Sequence, residues 1–157
     1  MDTFFPTDAD ALTKEQRARA ISSLVFLKEK RDGTIKGRAC AIGTPQCAYI
    51  KKEDAASPTC ATESVFITSV VDAYKRRHVA SFDVHTAFLH AITDKDVVMR
   101  LEGRLAELMV KVEPSLYQKY ITTSSKGKPV LYVTMNTALY GMMHSALLFY
   151  RTLVGDL

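Results

Sequence analysis

At 157 residues with 47% apolar side chains, the chain is of single-domain size and carries enough apolar surface for a buried core, so a globular fold is the default. Net charge is +4 and the sequence pI is near 9.0. The longest apolar run, "SVFITSVV", is too short to span a bilayer, and "MDTFFPTDAD" lacks the basic start of a signal peptide, so a soluble, intracellular, cytoplasmic protein with no membrane partner is expected. Cys40, Cys47 and Cys60 form no C-x-x-C pair and the four histidines lie at no zinc spacing, which points to free thiols in a reducing compartment.

From the N-terminus, Thr13 and Gln16 make a capping box, and the helix they start is expected to run through "KEQRARAISSL". The runs "LVFLKEK" and "TIKGRACAI" flank Arg31-Asp32-Gly33, and Asp-Gly between two such runs predicts a hairpin with basic residues on both arms. Together with Lys51-Lys52 and "KRRH" at 75 to 78, this hairpin suits a polyanion such as nucleic acid; a solvated basic face explains it equally. After a polar stretch at 43 to 58, Val65, Phe66, Ser69, Val70, Ala73 and Tyr74 recur at helical spacing.

"VASFDV" reads as a short buried strand following that helix. "VVMRL" is a second strand candidate, "RLAELMVKV" and "PSLYQKY" are short helices, "SSKGKP" is a turn, "VLYVTM" a strand and "SALLFYRTLV" an amphipathic helix. The order is α+β, and a chain that stops within a helix reads as a fragment.

Asp83 is the residue that asks for an explanation, because an ionised carboxylate in a buried strand costs several kcal/mol unless it is compensated. It either ends the strand and caps the turn at His85 and Thr86, or it serves as a ligand for a hard cation such as Mg²⁺. Spacing leaves both readings open. Other residues have plain structural readings: Phe88, Leu89, Met142 and Met143 as core, His85 and His90 as turn residues, and "TDKD" at 93 to 96 as a polar loop.

Four blocks, in order, resemble the Ty1/copia-type retrotransposon reverse transcriptases over roughly residues 20 to 155. "IKGRACAIG" is similar to the K-A-R-x-x-A-x-G fingers strand, and "SPTCATESVFIT" to the block whose Pro opens the next helix. "FDVHTAFLHA" is similar to the first catalytic block D-[VI]-x-x-A-[FY]-L, and "ALYGMMHSALLFY" to the later L-Y-G-L-x-x-[AS] block. Met143 and His144 depart from the Lys or Gln usual in that last block, and Ile42 replaces a residue that is usually polar.

The resemblance implies the fingers and N-terminal palm of a right-hand polymerase fold, incomplete here. Residues 1 to 21 would be an extension with a short helix and 22 to 157 a partial reverse transcriptase domain. The implied activity is RNA-directed DNA synthesis, in which a primer 3′-oxygen attacks the α-phosphate of a deoxynucleoside triphosphate and two Mg²⁺ ions clamp the attacking and leaving oxygens. By resemblance, Asp83 and the carbonyl of Val84 would ligate metal, and the amides of Thr86 and Ala87 would face the triphosphate. Phe88 would lie under the sugar, Lys36 and Arg38 would reach phosphates, and Tyr140 and Gly141 would line the nucleotide pocket beside an RNA/DNA template-primer. Such a protein would work in the cytoplasm, in virus-like particles or in the nucleus. The family's Y-x-D-D carboxylates would lie beyond residue 157, so the isolated chain is expected to be inactive. Two other classes stay open: a non-catalytic nucleic-acid-binding module and a decayed remnant.

Overall fold

The computed structural model describes residues 2 to 93 and 96 to 156. At its centre lie two antiparallel strands, β4 (Val98–Glu102) and β6 (Pro129–Met135), paired from Val98 opposite Thr134 to Glu102 opposite Val130. Their apolar residues are inside on both faces: Val98, Met99, Leu101, Val130, Leu131, Val133 and Met135 are all buried. Strand β1 (Phe4–Thr7) adds to the free edge of β6, with the Thr7 and Thr134 hydroxyls 2.7 Å apart, so part of the segment expected as an extension joins the sheet.

On the other side β2 (Ile21–Glu29) runs parallel to β4, but only Ile21 and Ser22 pair with it. Beyond Ser22, β2 pairs with β3 (Ile35–Ile42) alone, so the β2–β3 hairpin extends past the sheet and its residues from Leu24 to Glu29 and from Ile35 to Ala39 are exposed. With β5 (Thr122–Thr123) on β6, the result is a six-stranded mixed sheet of order β1-β6-β4-β2-β3 within an α+β fold.

The helices follow their local chemistry. In α1 (Lys14–Arg19) the Thr13 hydroxyl accepts from the Gln16 amide at 3.1 Å, and the Gln16 side chain returns the bond to the Thr13 amide at 2.9 Å. The helix stops at Arg19, short of its expected end: Ile21 is completely buried in the sheet, and that burial outweighs the helical propensity of the run. The remaining helices are α2 (Lys52–Ala55), α3 (Thr62–Tyr74), α4 (Arg104–Val112), α5 (Pro114–Tyr117) and α6 (Ser145–Asp156). Ala106 of α4 is buried in the core formed with the sheet, and Leu105 and Met109 pack against that core. The expected helix at 65 to 74 forms as α3, yet Phe66, Ile67, Val70 and Tyr74 remain exposed along it.

The strand expected at 79 to 84 does not form. Residues 79 to 84 are irregular, with Val79 71% and Phe82 80% exposed. A strand needs a neighbour for its backbone donors and acceptors, and β4 occupies the position beside β2. Composition alone does not encode which strand edge a run will pair with.

Candidate functional site

The segment that follows Asp83 turns sharply. Thr86 adopts the left-handed conformation at φ 53°, its hydroxyl donates to the His85 carbonyl at 2.7 Å, and residues Ala87–His90 form one tight helical turn. His90 Nε2 lies 3.1 Å from the same carbonyl, so His85 and His90 are turn residues as expected. This turn is anchored to the end of β6: the Ala138 amide donates to Ala91 at 2.8 Å, and Ile92 bridges Thr137. Phe88 is thereby held in a small apolar cluster with Ala91, Ala138, Leu148 and Phe149, the last two from α6.

Phe88 also meets Tyr140, with ring centroids 4.6 Å apart and planes tilted by 50°. Tyr140 is 44% exposed, and its carbonyl accepts the Ala41 amide of β3 at 2.7 Å. Gly141, at φ +89°, lies directly on β3: a Cβ there would fall 2.0 Å from the Ala41 carbonyl oxygen. Only glycine combines that φ with so close an approach. Phe88, Tyr140, Gly141 and the end of β3 therefore come together from chain segments far apart in sequence.

Lys36 and Arg38 stand on the hairpin. In its register Lys28 faces Lys36 and Phe26 faces Arg38, and these residues with Lys30 and Cys40 line a concavity of about 550 Å³. Among the described residues none of these four cations has an ion-pair partner, and Lys28 opposite Lys36 is a like-charge pair that weakens the hairpin. Four cations around an exposed aromatic make a surface suited to phosphates and a stacked base. Phe26 was not singled out from the sequence, although once the Asp-Gly turn is placed, strand alternation puts it on the basic face.

Asp83 is exposed and Val84 half-buried. Among the described residues no hydrogen bond or ion pair joins Asp83 to Lys36, to Arg38 or to the turn, where the Thr86 hydroxyl bonds the His85 carbonyl. Among the described residues no three His, Cys, Asp or Glu side chains gather as a metal-binding group. One carboxylate and one carbonyl do not make the donor set of a two-metal site. In "TDKD", Asp94 lies outside the described residues and Asp96 is exposed. Cys40, Cys47 and Cys60 are free thiols, and Met142 is buried as core.

No protein-family model matches this chain, and comparison with curated proteins and with solved structures returns no significant match. Among the described residues no helix is long and apolar enough to cross a membrane.

Proposed function

We propose that the chain is the fingers and N-terminal palm portion of a copia-type RNA-directed DNA polymerase, inactive by itself. One observation supports this above the others: three of the blocks that carry the resemblance meet around Tyr140, which contacts Phe88 through its ring and Ala41 through its carbonyl.

Under this reading the chain's own residues position the nucleotide. Lys36 and Arg38 attract the triphosphate, the Thr86 and Ala87 amides face it, and Phe88, Tyr140 and Gly141 form the floor under sugar and base. Asp83 and the Val84 carbonyl would hold only part of a Mg²⁺ site, whose other carboxylates are not found among the described residues. The reaction joins the primer 3′-oxygen to the α-phosphate and releases pyrophosphate. The test is primer extension on an RNA template by this chain joined to its own downstream coding sequence. Extension abolished by Asp83→Asn is expected; extension indifferent to that change would overturn the assignment.

The basic concavity favours a second reading, a nucleic-acid-binding module without catalysis. Both readings predict duplex binding that falls steeply with salt. They part at Asp83, which the binding module does not need.

A further inference from the structure

We propose that Gln46 is a positioning residue: its buried side chain clamps the turn at 140 to 143 onto the end of β3 and so fixes the Tyr140 ring against Phe88. The consequence for nucleotide binding rests on the polymerase reading above; the clamp itself does not. Gln46 lies in the helical turn Thr44–Ala48 and is completely buried. Its Oε1 accepts the Met143 amide at 2.9 Å, across 97 positions of chain. Its backbone is held from both sides: its amide donates to the Gly43 carbonyl at 2.8 Å, and its carbonyl accepts from Tyr49 at 3.1 Å and Ile50 at 2.8 Å.

The surrounding packing leaves no slack. A Cβ on Gly43 would fall 2.2 Å from the Gly141 carbonyl oxygen and 3.0 Å from Gln46 Oε1, so three segments press together at this point. Cys47 Sγ and Met143 Sδ, 3.9 Å apart, touch at its exposed side. Gln46 Nε2 is buried with no partner among the described residues, an arrangement that an apolar side chain of similar volume would avoid. What offsets it is the acceptor, which satisfies a backbone donor that the turn otherwise leaves unpaired.

The test is amide hydrogen exchange, read residue by residue on the whole chain for Gln46→Met, which keeps the length and removes the acceptor. The Met143 and Ala41 amides are expected to exchange roughly tenfold faster, the change for one lost part-buried hydrogen bond, while Met99 and Val133 in the central strands hold their rates. Gln46→Glu, read at a pH where its carboxyl is neutral, restores the acceptor and is expected to restore protection. Uniform acceleration, or an unchanged Met143 rate, would overturn the clamp. If Gln46→Met does not fold, Gln46→Asn withdraws the acceptor by one methylene and is judged by the same local pattern. Titration with deoxyadenosine triphosphate then separates the two claims. Weaker binding by Gln46→Met ties the clamp to the nucleotide pocket, and equal binding removes that tie. No binding by the wild-type chain counts against the polymerase reading and leaves the exchange result standing.

Discussion

Gly141 makes the closest backbone approach in the candidate site, and a side chain there meets both a forbidden φ and the Ala41 carbonyl. Gly141→Ala is expected to destabilise the protein by about 2 kcal/mol or more, read as a lowered denaturant midpoint. Phe88, half-buried against Tyr140 and Phe149, should cost about 2 kcal/mol as Phe88→Ala by the same measurement, less than a fully buried ring. At the hairpin tip, Asp32 Oδ1 accepts the Thr34 hydroxyl at 2.6 Å and the Thr34 amide at 3.0 Å, and these bonds, the hydroxyl first, hold its carboxyl below the ordinary aspartate value. The folded pKa is depressed, so the stability it contributes is complete above the unfolded pKa and is lost as pH falls through the folded one. An NMR titration of the Asp32 carboxyl should therefore show a low midpoint that Thr34→Val moves upward. An unshifted midpoint in the wild type would contradict the hydrogen bonds.

The hairpin carries the clearest conflict between stability and the proposed function. Lys28 and Lys36 face each other with no ion-pair partner among the described residues, which is unfavourable in a β-ladder. Lys36→Glu should stabilise the fold by a few tenths of a kcal/mol, seen as a small rise in Tm, because it replaces repulsion with an exposed cross-strand pair. The same change should weaken binding to an RNA–DNA duplex and flatten its salt dependence, measured by fluorescence anisotropy. A rise in Tm with unchanged binding would mean that the face is merely solvated. This element was legible from sequence because its signals are local: an Asp-Gly turn and two β-rich arms. The run at 79 to 84 had an equally strand-like composition, yet strand formation depends on a partner elsewhere in the chain, and composition does not encode which edges are free.

At the scale of the molecule, the sheet order β1-β6-β4-β2-β3 joins strands from both ends of the sequence, and no local pattern announced β1 or the parallel pairing of β2 with β4. The candidate site divides in the same way. Phe88, Tyr140 and Gly141 were legible as motif positions, and the fold brings them together; Phe26 and Gln46 bear no motif, and only register and burial single them out. Asp83, the residue on which the proposed chemistry turns, stands exposed, and among the described residues no three His, Cys, Asp or Glu side chains gather as a metal-binding group. The polymerase account therefore requires that partners for Asp83 be encoded elsewhere. The most direct measurement is to sequence the transcript past the codon for Leu157. The account predicts an in-frame strand-turn-strand carrying Y-x-D-D; a stop codon immediately after Leu157 would contradict it and leave the resemblance as a statement of ancestry.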